Sequence, residues 1–238
     1  MKFYYLIIVF YLLSCNPSPK DLSLQEENEE VIEKVKIFSK QAIFPSKVVA
    51  SVIYDYDTTL WTDIAHLDSS IVLDLKYATP DNFVKEKMYD CARCFLRPEV
   101  ARRIVLIQKE LQKKGYGLKM LDCFRPRPIQ WKLWNKVPDP RYVSDPRKGS
   151  MHNRGAAVDL TLVDKNGNEL DMGTPYDFFG RRAYSTFTNL PDSIMQRRKL
   201  LNLVMKNQKF HPIRTEWWHF SWKGKNYPLS DMLWKCKE

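Results

Sequence analysis

The sequence predicts an α+β fold, with a small, mainly antiparallel sheet flanked by helices. Strand-like and helix-like stretches follow one another without the strand–helix–strand rhythm that a parallel sheet requires. Residues 98–114 and 191–208 space their apolar side chains as helices do, whereas 158–163 is rich in β-branched residues and alternates with a period of two. An apolar fraction of 44% with 13% aromatic residues supplies a core and excludes a disordered chain.

At the start, Lys2 precedes an apolar run from Phe3 to Leu13. Eleven residues are too few to span a bilayer, which takes roughly 20. Residues 1–14 therefore read as an export signal. The ending Leu12-Leu13-Ser14-Cys15 resembles a bacterial lipobox, so Cys15 is expected to carry a lipid that anchors the mature chain to a membrane. Residues 15–47 read as a flexible spacer, rich in Pro, Ser, Glu, Asn and Lys, with one apolar patch at Val31, Ile32, Val35 and Ile37. Residues 48–238 are expected to form the main folded domain. Between 16 and 40, six acidic residues outnumber four lysines, so the chain's formal charge of +10 resides in that domain. Export removes nucleic acid as a partner, and a basic surface suits the anionic polymers of a cell envelope.

Within the domain, Ile71 to Leu75 reads as a short strand that ends in the turn Lys76-Tyr77-Ala78-Thr79-Pro80. Pro98 to Lys114 is the clearest helix. Proline occupies its first position, Glu99 its first turn, Val100, Ile104, Ile107 and Leu111 share one face, and Gly115 stops it. Leu118 to Leu121 reads as a strand feeding the loop Asp122-Cys123-Phe124-Arg125-Pro126, and a helix starts near Pro128. In the strand Val158 to Val163, Asp159 and Thr161 share one face, while Val158, Leu160 and Leu162 share the other and face the core. A helix over Pro191 to Gln208 and a strand around Trp218 to Trp222 complete the set.

Besides Cys15 there are four cysteines, Cys91, Cys94, Cys123 and Cys236. In an exported chain they are expected to form disulfides, for which three pairings exist, or to stay as buried free thiols. Cys91-Ala92-Arg93-Cys94 lacks the second pair that a zinc ribbon needs, and lacks the strand-to-helix setting of a thiol redox motif.

Two of only four histidines stand in segments that also carry carboxylates: His152 with Asp159, and His219 with Glu216. Two imidazoles and two carboxylates are the ligand set and general base of a hydrolytic zinc site. A loop carrying His152 that leads into a strand carrying Asp159 would bring the first pair together. Glu216 and His219, three apart, would point to opposite faces of a regular strand, so the chain is expected to bend at Trp217. His219 then serves as ligand, and Glu216 lies near enough to take a proton from water. Arg125, on a loop stiffened by Pro126, is the candidate to stabilise a developing oxyanion.

Ser150-x-His152-x-x-Gly155-x-Ala157-x-Asp159, Glu216-x-Trp218-His219, Asp122-x-x-Arg125-Pro126, Lys76-Tyr77-Ala78-Thr79-x-Asp81-Asn82-Phe83 and Met172-Gly173-Thr174-x-x-Asp177-Phe178 resemble, in matching order, the zinc D-alanyl-D-alanine dipeptidases known from vancomycin resistance. The resemblance spans roughly residues 71 to 222. It implies the fold of the zinc D-Ala-D-Ala peptidases and one zinc ion per chain, held by His152, Asp159 and His219. It also implies Glu216 as general base, Arg125 as stabiliser of the tetrahedral intermediate, and Tyr77, Ser150 and Asp177 as holders of the two ends of a free dipeptide, with Asp177 facing its ammonium group. The expected reaction is hydrolysis of D-alanyl-D-alanine by Glu-assisted attack of metal-activated water. The lipobox, the spacer and the Cys91/Cys94 pair depart from the family pattern. They move the expected place of work from the cytosol to the envelope, on the periplasmic side or the cell surface. Two alternatives stand beside this reading: a D,D- or L,D-carboxypeptidase that trims peptidoglycan stems, and a non-catalytic wall-binding lipoprotein, against which the presence of Glu216 argues. Oligomeric state is left open by the sequence.

Overall fold

The computed structural model describes residues 53–236. The signal segment, Cys15 and the spacer through residue 47 lie outside the described residues. In chain order the elements are β1 (Thr62–Asp63), α1 (Ile64–Leu67), β2 (Val72–Leu73), β3 (Phe95–Leu96), α2 (Pro98–Gln112), β4 (Tyr116–Asp122), α3 (Arg127–Lys136), β5 (Ala157–Asp164), α4 (Asp192–Asn207), β6 (Phe210–Pro212) and β7 (His219–Trp222). The main sheet runs β2-β4-β5-β7-β6, and β1 pairs with β3 in a separate two-stranded ribbon. The α+β expectation holds. All pairings are antiparallel except β2 with β4, which is parallel.

The expected helix at 98 forms for the reasons the sequence gives. Pro98 occupies the first turn with Glu99 beside it, and the chain leaves the helix through Gly115 at φ 79°, a left-handed conformation that glycine adopts without penalty. Val100, Ile104, Ile107 and Leu111 are fully buried, each contributing about 2 kcal/mol by leaving water. They pack on Leu118, Met120, Val158, Leu160 and Leu162 of the sheet, and Leu201, Val204 and Met205 of α4 join the same core. Gln108 is the one buried polar side chain on that helix face. It is satisfied by donating to the Ser70 carbonyl and accepting from the Leu118 N–H.

The strand alternation places Val158, Leu160 and Leu162 in the core as expected, and the whole of β5 from Ala157 to Val163 is buried. On its other face, register decides function. Asp122 of β4 lies opposite Asp159 of β5, after a bulge between Met120 and Asp122, and Asp159 lies opposite His219 of β7. Directly opposed residues share a face, so three polar side chains stand in a row at one end of the sheet. The strand expected over residues 71–75 is shorter, with Ile71 and Leu75 serving the core from outside it.

The cysteine pairing is resolved as Cys91–Cys236 and Cys94–Cys123. The first fastens the C-terminal segment. That segment also sets Trp234 against Tyr89, Phe95 and Phe124, and its Ser230 N–H donates to the Asn153 carbonyl, beside His152.

Candidate metal centre

His152 sits on a single 3-10 turn, His152–Arg154, that ends at Gly155 with φ 67°. A Cβ at Gly155 would lie 2.5 Å from the Trp61 ring, so only glycine lets the chain pass there into β5. The turn is held by Asn153. Its side chain donates to the Arg125 carbonyl at 2.7 Å and accepts from the Ser150 N–H at 2.7 Å. Loop and strand thus bring His152 and Asp159 together as the spacing suggests. The chain bends at Trp217 and Trp218 before β7 begins at His219, the bend required for Glu216 and His219 to serve one site.

Ligand atoms of His152, Asp159 and His219 all lie within 4.8 Å of one another. The His152 Nδ1–H donates to the Cys123 carbonyl at 2.7 Å, leaving its Nε2 with a lone pair. His219 Nε2 pairs with Ser221 Oγ at 2.9 Å, and its Nδ1 turns inward. Nε2 of His152 is then 3.1 Å from Nδ1 of His219, and Asp159 Oδ1 is 3.3 and 3.0 Å from those two nitrogens. With these tautomers, assigned from the hydrogen bonds, two lone pairs and a carboxylate oxygen converge with no proton among them. Such a set repels itself unless a cation sits at its centre. Two imidazoles and one carboxylate suit zinc, leaving one tetrahedral position open. Burial alone would raise the Asp159 carboxyl, but the adjoining His152 and His219 outweigh it and hold the acid far below the usual range. Burial likewise opposes charge on His152, and Asp159 overcomes it to raise that imidazole. A positive charge is favoured here.

A cavity of about 280 Å³ opens over this centre, and Tyr77, Arg125, Ser150, Asp177 and Glu216 line it with the three ligand residues. Every site residue singled out from the sequence is therefore brought to one place. Burial raises the Glu216 carboxyl above its ordinary value, with His219 pulling the other way, which makes it a stronger proton acceptor than an exposed glutamate. Arg125 is buried, and Asp122 fixes its aim by accepting from Nε at 3.0 Å and Nη2 at 2.6 Å. Its third bond, from Nη1, goes to Gln130 at 3.2 Å, and its guanidinium lies 4.8 Å from the centre of the Tyr77 ring. Burial opposes the Arg125 charge, but Asp122 keeps it firmly protonated. At the far end, the Tyr77 hydroxyl donates to Asp177 at 3.4 Å. Desolvation, then the nearby Asp159 charge, push the Asp177 carboxyl well above the usual range. Among the described residues no cation forms an ion pair with it, although the Arg125 charge pulls its carboxyl the other way.

Several functional positions were not foreseen. Asp122 joins three partners: Arg125, the Tyr89 hydroxyl at 2.8 Å, and the His152 Nδ1 edge at 3.5 Å. Tyr176 donates to Asp159 Oδ2 at 3.0 Å. The loop bearing Tyr176 and Asp177 is tied to the Glu216 segment by Trp217 Nε1, which donates to Thr174 Oγ1 at 2.8 Å. Arg198 stiffens the same loop by donating to the carbonyls of Met172, Arg182 and Tyr184. On the rim, Tyr142 and Phe179 meet at 4.6 Å between ring centres, and both line the cavity.

The family model described as D-Ala-D-Ala dipeptidase matches residues 57–234. The D-alanyl-D-alanine dipeptidase of Escherichia coli (strain K12) is 37% identical over 181 residues, covering 76% of this chain and 94% of that protein. The protein of the same name from Enterococcus faecium is 31% identical, covering 66% of this chain and 88% of its own length. That from Streptomyces coelicolor is 28% identical over 70% of this chain and 94% of its own.

Proposed function

The chain belongs to the D-Ala-D-Ala dipeptidase family of peptidases, and we propose that it hydrolyses D-alanyl-D-alanine with one zinc ion held by His152, Asp159 and His219. The observation that carries this reading is the convergence of those three ligand atoms within 4.8 Å, in the same cavity as Glu216, Arg125 and Asp177.

Zinc bound there would act as a Lewis acid toward the scissile carbonyl and the attacking water. The remaining work falls to the chain. Glu216 takes the proton from the water as it attacks and returns it to the departing amine, a role suited to its raised carboxyl. Arg125, held in place by Asp122 and Gln130, donates to the carbonyl oxygen as negative charge develops on it. Asp177 receives the substrate ammonium. A desolvated carboxylate with no ion pair among the described residues gains most from a cationic ligand, which selects a free amine over an acylated one. Tyr77 and Ser150 supply hydroxyls for the remaining polar groups of the dipeptide.

The domain is proposed to work outside the cytosol, anchored through a lipid on Cys15 and joined to it by the spacer. Two disulfides within the domain support an oxidising compartment. Cys15→Ala should abolish lipid labelling and release the chain from the membrane fraction, and persistent labelling would refute the anchor. For the reaction, the full chain loaded with zinc is incubated with D-Ala-D-Ala and, separately, with a muropeptide ending in the same pair. Release of D-alanine from the dipeptide is the expected result. Cleavage of the muropeptide alone would replace this reading with that of a carboxypeptidase.

A further inference from the structure

We infer that Tyr176 is a positioning residue that makes Asp159 bind metal through one oxygen and joins the metal centre to the site for the substrate ammonium. This inference rests on the assignment of His152, Asp159 and His219 as zinc ligands.

The two oxygens of Asp159 have different neighbours. Oδ1 faces both imidazoles, at 3.3 and 3.0 Å. Oδ2 accepts the Tyr176 hydroxyl at 3.0 Å. A carboxylate whose second oxygen is already engaged presents only the first, so a coordination position stays open for water and substrate. Packing does not account for that hydroxyl. The Tyr176 ring meets Tyr77 at 6.2 Å and Trp218 at 5.4 Å between centres, contacts that phenylalanine would make equally well.

The backbone explains how one corner of the chain serves both sites. In an extended segment, consecutive side chains point to opposite faces. Asp177 instead adopts φ 57°, a left-handed conformation uncommon outside glycine and found where a fold enforces it. Tyr176 consequently reaches Asp159, while its neighbour Asp177 reaches the Tyr77 hydroxyl. Thr174, bonded to Trp217, and Met172, bonded to Arg198, anchor this corner from behind. A substrate amine seated on Asp177 therefore bears on the residue next to the one that orients the metal ligand.

The test uses the full chain. Zinc affinity is measured by chelator competition for the parent, Tyr176→Phe and Tyr142→Phe, with visible spectra recorded after cobalt(II) replaces zinc. Tyr176→Phe should bind zinc roughly 10- to 100-fold more weakly and lose cobalt band intensity as the freed carboxylate oxygen raises the coordination number. Tyr142→Phe removes a hydroxyl from a residue lining the same cavity without touching Asp159 or Tyr176 and should leave zinc affinity within about twofold. Equal affinities and spectra for Tyr176→Phe and parent would overturn the inference while leaving the metal site intact. A parent that binds no zinc would overturn the site assignment and this inference with it. The parent's cobalt spectrum also decides alone, should thermal scans show Tyr176→Phe to be unfolded: intense four-coordinate bands support a one-oxygen carboxylate, and weak five- or six-coordinate bands refute it.

Discussion

Replacing Asp177 with asparagine should damage substrate binding and strengthen the fold at the same time. The substitution preserves size and suits the backbone, because asparagine tolerates the φ of 57° found at this position. What it removes is charge. A charge-assisted hydrogen bond contributes about 1.5–3 kcal/mol, so KM for D-Ala-D-Ala should rise roughly 10- to 150-fold, with a smaller change in kcat. The stability effect has the opposite sign. Desolvation raises the Asp177 carboxyl well above its ordinary value, so the unfolded chain ionises first as pH rises. The parent loses stability from the unfolded pKa upward until the folded group also ionises, and the penalty stays in full beyond that point. Thermal scans of the metal-free full chain should therefore show equal melting temperatures for parent and Asp177→Asn below the ordinary carboxyl range, and a variant advantage that grows through the window above it. The parent's KM should rise as pH falls through the same window, because the neutral acid cannot pair with an ammonium. A KM for Asp177→Asn within twofold of the parent would remove Asp177 from amine recognition. A variant less stable at every pH would refute the desolvation argument.

Glu216→Ala should retain zinc, measured by metal analysis, and lose at least roughly a hundredfold in kcat, the lower range for a general base; near-parental turnover would exclude Glu216 from proton transfer. The Cys94–Cys123 link closes a loop of 29 residues, which by chain entropy corresponds to about 3.6 kcal/mol. It also fixes the peptide whose carbonyl accepts from His152. Cys94→Ala paired with Cys123→Ala should therefore lower the melting temperature and weaken zinc binding together, and a loss of stability with unchanged zinc affinity would separate the disulfide from the site.

Legibility in the sequence followed the length of each pattern. The helix at Pro98–Gln112 was readable because four apolar side chains repeat at helical spacing between a proline start and a glycine stop. The alternation in β5 showed that Asp159 leaves the core face, and the three-residue gap between Glu216 and His219 required the bend found at Trp217. β1, β2 and β3 span two residues each, too few to show alternation, and the parallel course of β2 depends on the path of the intervening chain. The site's supporting residues were hidden for a different reason. Asn153 reads locally as a turn residue and Tyr176 as an ordinary aromatic, and only the folded chain brings them to Arg125 and Asp159. The same holds for the cysteines, whose spacing alone leaves three pairings open. The rim aromatics Tyr142 and Phe179 come from loops with no periodic signal.

The claim that one metal centre formed by His152, Asp159 and His219 drives hydrolysis of the dipeptide is tested most directly by titrating the metal-free full chain with zinc while D-alanine release from D-Ala-D-Ala is followed. Activity should be absent at the start, rise linearly, and level off at one zinc per chain, with no recovery in His219→Ala at the same zinc level. Undiminished dipeptide hydrolysis by the metal-free chain, or by zinc-treated His219→Ala, would contradict it.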